Sequence, residues 1–176
     1  MLLLHGAGGS ARQGIELLHP LADRYRLVLV APKSRLATWD VIADGYGPDV
    51  RRIDRLLDQV AATRPVDRFT VGGFSDGASY ALSLGLANGD VFDSVLAFSP
   101  GFAAPLVRHG SPRFFVSHGT EDRVLPVDRC SRPLVTRLER AGYAVEYHEF
   151  DGPHVVPAEV VERAGTWLTG DAGETG

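Results

Sequence analysis

The sequence predicts an α/β fold: a doubly wound, mostly parallel sheet of about six strands with helices on both faces. Three observations predict it. Short apolar runs alternate with longer segments whose apolar residues repeat at helical spacing. Glycine-rich stretches follow directly on two of those runs, at 5–10 and 72–77. The 176 residues, 44% hydrophobic and 23% charged, are enough for one buried core and too apolar for a disordered chain.

Taken in order, residues 2–4 read as a buried strand and 5–10 as a glycine-rich loop. Residues 11–24 read as a helix with Ile15, Leu18 and Leu21 on one face. A second strand is expected over 26–30, then a loop over 32–48 that carries Trp39. In 49–63 the spacing of Val50, Ile53, Leu57 and Val60 predicts a helix. The third strand is 69–71, and the helix after Ser75 runs to about 87, where Asn88-Gly89 suits a left-handed stop. The fourth strand is 94–98, a Pro- and Gly-rich segment fills 99–112, and the fifth strand is 113–117. A helix over 128–140 stops at Gly142, the sixth strand is 144–150, and a last helix spans 157–168. Residues 1–170 form a single domain with no repeat or linker, and 171–176 read as a frayed tail.

Strands separated by helices need right-handed crossovers, which makes the sheet parallel and covers both its faces. Ligands of such sheets bind beyond the carboxyl ends of the strands. With the first and third strands as neighbours, the two glycine-rich loops face one site.

Net charge is −4 with both signs interspersed, and the arginines within 51–55 read as a solvated helix face, so a nucleic-acid partner is not expected. A lone cysteine, Cys130, excludes an internal disulfide framework. The apolar start at Met1 meets His5 and glycines too soon for a signal-peptide core, and no run is long enough for a bilayer. The expectation is a soluble, cytoplasmic protein without membrane association.

The chain is organised around VGGFSDGA at 71–78, a G-x-S-x-G pattern centred on Ser75 between a strand and a helix. Glycines flank such a serine because the sharp turn strains its backbone and leaves no room for side chains two residues away. By composition the pattern would arise by chance in about one such chain in eight, so it is weak alone. Its context strengthens it. A serine hydroxyl needs a base, and the base needs an acid that fixes its tautomer. Asp122 follows the fifth strand and His154 the sixth, so all three leave carboxyl ends on one rim. Glu121, Asp128 and Asp151 are rival acids. His118 reads as structural, and His5 as a brace for its loop through the ring nitrogens.

These pieces resemble the α/β-hydrolase superfamily, above all its phospholipase/carboxylesterase-like serine esterases. The matching stretches are LLLHGAGGS, the Trp39-Asp40 loop, GGFSDGASYAL, AFSPGF, HGTEDRVLP and DGPHVVP, together covering residues 1–168. The resemblance implies a Ser75, His154, Asp122 triad with an oxyanion hole from the backbone N–H groups of Ala7 and Asp76. The reading is a cofactor-free hydrolase of carboxylic esters or thioesters acting through an acyl-enzyme, with small neutral substrates expected from the short segment at 99–112 and an acidic rim. The chain departs from the family in lacking the leading strand pair and in carrying an acid, Asp76, after the serine. Without that pair, strand 26–30 is an open edge through which a homodimer is expected.

Trp39, Phe102 and Leu106 are expected to line the substrate pocket, and Asp40, Asp76, Glu121 and Asp151 to give its rim a negative potential. No metal is expected, since no histidine pair has zinc-site spacing. The main alternative is a Rossmann-like oxidoreductase, because residues 6–11 read G-x-G-x-x-A directly after a strand. Against it, the second strand ends Val30-Ala31-Pro32 without the acid that would hold a ribose. A catalytically silent hydrolase fold used for binding is the third reading.

Overall fold

The computed structural model describes residues 1–43 and 45–170, so the tail expected at 171–176 lies outside them. Five parallel strands form one sheet in sequential order: β1 (Leu2–Leu4), β2 (Phe69–Phe74), β3 (Phe92–Phe98), β4 (Arg113–Gly119) and β5 (Val145–Phe150). The helices are α1 (Ala11–Glu16), α2 (Asp40–Ala43), α3 (Pro48–Thr63), α4 (Asp76–Ala87), α5 (Ser131–Arg140) and α6 (Ala158–Gly170). Among the described residues no helix is long and apolar enough to cross a membrane.

The two-residue period of a strand sorts its side chains between two cores. Leu2, Leu4, Val71, Val95, Phe114 and Val116 pack on one face with Ile53 of α3, Ala81 and Leu84 of α4, and Leu134 and Leu138 of α5. Leu3, Leu96, Phe98 and Phe115 face the other way, onto Leu18, Leu21 and the α6 residues Val160 and Ala164. Each fully buried phenylalanine of β3 and β4 is worth about 1.5–3 kcal/mol, so the strand ends that carry the site are firmly anchored. Helix α4 is buried along most of its length, the central position that places its first residues under the site.

The loop expected over 32–48 contains the short helix α2, and three further features differ from the sequence reading. The helix expected over 11–24 divides into α1 and a 3-10 turn at His19–Leu21, because Pro20 has no N–H with which to continue the ladder. The strand expected over 26–30 is reduced to one bridge, between Leu2 and Val30. Arg26 has φ of 53°, a left-handed conformation that interrupts an extended run. Val30 still accepts from Leu3 N at 2.8 Å and donates to Met1 O at 2.9 Å, so the sheet has five strands and a partly covered β1 edge. The strand through which a homodimer was expected is therefore absent.

At the end of α4, Asn88 has φ of −136° and is not the left-handed stop its sequence suggested. Gly89 is required for another reason: a Cβ there would lie 2.5 Å from the carbonyl of His109. The segment at 99–112 is pinned to α4, where Ser79 Oγ accepts from Gly101 N at 2.9 Å and Ser83 Oγ from Ala104 N at 2.9 Å.

Candidate active site

Ser75 occupies the turn between β2 and α4 with φ of 57° and ψ of −121°, a conformation that costs about 1–3 kcal/mol for a residue with a side chain. Its backbone is held from both sides: Ser75 N donates to Phe98 O at 2.9 Å, and Ser79 N to Ser75 O at 3.0 Å. The glycines of the motif are needed for space. A Cβ on Gly73 would lie 2.5 Å from the Gly77 backbone, and one on Gly77 would lie 2.1 Å from Leu4 O. The Ser75 side chain does not cap α4 and is free for another partner.

That partner is His154, whose Nε2 lies 2.9 Å from Ser75 Oγ although the residues are 79 positions apart. On the other side of the ring, Nδ1 lies 2.5 Å from Asp122 Oδ2. Facing a carboxylate, Nδ1 carries the proton, and Nε2 is left to accept the serine hydroxyl. Phe74 packs on the imidazole with ring centroids 4.6 Å apart.

The loops bearing the acid and the base are laced together at the end of the sheet. Thr120 N donates to Phe150 O and Glu121 N to Gly152 O, both at 2.9 Å. Gly119 permits this, since a Cβ there would lie 2.3 Å from Gly152 O. Asp122 Oδ1 accepts from Val124 N and Leu125 N, both at 2.8 Å, an Asx turn that the sequence signals by an aspartate just after a strand. Burial pulls the Asp122 carboxyl upward, but the Leu125 N–H, His154 and the Val124 N–H outweigh it and hold the group below its ordinary range. The rival acids lie elsewhere: Asp128 pairs with Arg132, Glu121 is exposed, and exposed Asp151 accepts from Thr120 Oγ1 at 3.3 Å.

Two other histidines are structural. His5 Nε2 accepts from Ser34 N at 3.1 Å, which leaves Nδ1–H to donate to Gly6 O at 2.7 Å. His118 Nε2 faces Leu125 O at 2.7 Å and Asp122 Oδ2 at 3.1 Å, so it carries the proton, while Nδ1 accepts from Ser131 Oγ at 2.5 Å. Among the described residues no group of three or more His, Cys, Asp or Glu side chains is placed to hold a metal. Burial pushes the Cys130 thiol up, although Arg129 pulls the other way.

Among the described residues, the N–H groups of Ala7 and Asp76 have no hydrogen-bond partner. The Asp76 carboxylate is turned aside to accept from Thr38 Oγ1 at 2.5 Å. The next N–H groups are already used, Gly8 by Ala37 O at 2.6 Å and Gly9 by Gly6 O at 3.0 Å, and Lys33 Nζ donates to Gly9 O at 2.5 Å. A loop whose N–H groups are already spent on protein carbonyls is a poor cradle for a pyrophosphate.

The expected pocket residues are placed differently. Trp39 is fully buried, donates its indole N–H to His5 O at 2.8 Å and stacks on Tyr80, so it supports the Gly6-Ala7 loop from beneath. Phe102 is half-buried with its N–H on Ser79 Oγ at 3.3 Å, and Leu106 is 76% exposed. Neither borders the cavity beside His154, which opens between α1 and α6 and is walled by Leu17, Phe74, Val156 and Val161. Leu17 escaped the sequence reading because it lies off the face defined by Ile15, Leu18 and Leu21. Asp40, expected on the rim, is internal: it accepts from Gly47 N at 2.9 Å, Asp49 N at 2.8 Å and Tyr80 Oη at 2.8 Å.

No family model matches the chain. Among curated proteins it is 30% identical over 102 residues to acyl-protein thioesterase 1 of Eremothecium gossypii, a match spanning 53% of this chain and 43% of that relative. The chain thus matches less than half the length of that protein. Among solved structures it is similar to esterase PE8, with a TM-score of 0.78, 26% identity, and coverage of 96% of this chain and 90% of the other. The phospholipase/carboxylesterase of Dyadobacter fermentans has a TM-score of 0.72 at 22% identity, with coverage of 94% and 87%. The Bacillus cereus carboxylesterase has a TM-score of 0.71 at 22% identity, with coverage of 97% and 87%. At those identities the last two likenesses speak for the fold alone.

Proposed function

We propose that this chain, which has the α/β-hydrolase fold and resembles phospholipase/carboxylesterase-like esterases, is a serine hydrolase of small neutral carboxylic esters or thioesters. The observation that carries the reading is the continuous chain from Asp122 through His154 to Ser75, at 2.5 and 2.9 Å, on a strained strand-to-helix turn.

In the proposed mechanism Ser75 Oγ attacks the carbonyl carbon while its proton passes to His154 Nε2. The Oγ–C bond forms and the carbonyl electron pair moves to oxygen, where the free N–H groups of Ala7 and Asp76 receive the negative charge. Donors of this kind are worth about 10²–10³ in turnover each. Collapse of the intermediate breaks the bond to the leaving oxygen or sulfur, which takes the proton from His154. Water then repeats the cycle on the acyl-enzyme, with His154 again as base, and releases the carboxylic acid. Asp122, kept ionised by its four close donors, fixes the His154 tautomer and stabilises the imidazolium.

The dinucleotide reading has less support, because the Gly8 and Gly9 N–H groups and the Lys33 ammonium already donate to protein carbonyls. A silent binding fold would retain the geometry without turnover. Hydrolysis of p-nitrophenyl butyrate by the purified protein, beside an NADP titration, separates the three readings. Turnover without NADP binding supports the hydrolase, whereas NADP binding without turnover favours the oxidoreductase, and neither leaves the binding fold.

A further inference from the structure

The cavity between α1 and α6, about 500 Å³, lies within the usual range for small-molecule sites and begins at His154. Resting on the hydrolase reading, we infer that this cavity receives the leaving arm of the substrate and that the arm is a bulky, uncharged, apolar alcohol or thiol.

The side follows from proton transfer. The oxygen or sulfur that leaves must come within hydrogen-bond reach of His154 Nε2 to take its proton, so the arm attached to it lies along the histidine. The chain after His154 runs directly into the cavity wall through Val155 and Val156, while Phe74 packs on the imidazole and borders the same space. The acyl arm is left outside this cavity, whose lining includes no residue of the segment at 99–112.

The chemistry of the arm follows from the lining. Leu17, Phe74, Val156 and Val161 are half-buried, so an apolar group entering there removes apolar surface from water on both partners. Two carboxylates, Glu16 and Glu162, border the space, which alone would suit a cationic arm. Each is already matched: Arg12 Nε lies 2.8 Å from Glu16, and Arg24 pairs with Glu162. With its rim charges compensated, the cavity selects by size and apolarity.

The test compares two isomers, n-hexyl acetate and ethyl hexanoate, which carry the same atoms with the long arm on opposite sides of the ester. The wild-type protein should hydrolyse hexyl acetate with a kcat/KM at least about tenfold higher. Acetylcholine should not exceed hexyl acetate. Val161→Phe, or Leu17→Phe if the first variant folds poorly, narrows the cavity and should bring the ratio of the two isomers toward one. Preference for ethyl hexanoate, for acetylcholine, or an isomer ratio that both variants leave intact would overturn the assignment while ester turnover itself stands. Failure to hydrolyse any of the three esters would overturn the hydrolase reading and this assignment together.

Discussion

His118 Nε2 stands 3.1 Å from Asp122 Oδ2, with both side chains wholly shielded from water. The same oxygen meets His154 Nδ1 at 2.5 Å, so one carboxylate lies between two histidines while Val124 and Leu125 hold its second oxygen. Asp122→Asn would present an amide N–H to one of these donors and favour the wrong His154 tautomer. Steady-state kinetics should show kcat reduced by about 10³–10⁴ with KM little changed. Asp151→Asn and Glu121→Gln, on exposed side chains, should each stay within about twofold of wild type. Loss of activity in either of those, with Asp122→Asn active, would move the acid to another residue.

Acid stability should depend on two buried histidines. Burial lowers the pKa of His118 and of His5 below 6.5, with carbonyl acceptors offsetting only part of the effect. In the window between each lowered value and 6.5 the unfolded chain binds more protons than the folded one, so stability rises with pH there. It is complete above 6.5 and is lost as pH falls through that window. Urea denaturation at pH 8, 6.5 and 5 should give successively lower midpoints. His118→Gln should flatten the trend, and an equal trend in that variant would contradict the assignment.

A separate loss is expected at lower pH. Arg132, with help from Tyr147, holds the Glu149 carboxyl down to about 2. Its contribution is present above the ordinary 4.5 and disappears as pH falls toward 2. Arg132→Ala should remove that lower limb of the acid-denaturation curve and leave the histidine limb in place.

Gly77→Ala should be among the most damaging single-methyl substitutions in the chain. The added carbon would lie 2.1 Å from Leu4 O and 2.6 Å from His5 O, both backbone atoms that can move only by parting β1 from α4. Overpacking of this kind costs about 1–3 kcal/mol or more. Thermal denaturation should show a melting temperature lower by at least several degrees. By contrast Gly8→Ala meets no atom within 4 Å and bears only the strain of φ at 66°. An unchanged melting temperature in Gly77→Ala would contradict the packing described.

Much of this site is legible in the chain because it depends on local spacing. The G-x-S-x-G pattern encodes the steric limits at Gly73 and Gly77, and the strand ends before Asp122 and His154 encode their common rim. What escapes sequence reading depends on long-range packing. Nothing near Trp39 announces that its indole will bond His5 and stack on Tyr80 beneath the loop. Nor does the apolar run ending at Val30 disclose the left-handed Arg26 that leaves only a bridge. The cavity is hidden for the same reason, since its walls come from α1, Phe74 and α6, elements remote in sequence.

The central claim is that Ser75 is a nucleophile activated by His154, and covalent labelling tests it most directly. A fluorophosphonate probe followed by peptide mass spectrometry should place one adduct on Ser75 in the wild-type protein. Ser75→Ala should take up no label, and His154→Ala should label more slowly by several orders of magnitude while keeping the wild-type melting profile. An unlabelled wild-type protein, an adduct on another serine, or equal labelling rates with and without His154 would contradict the account.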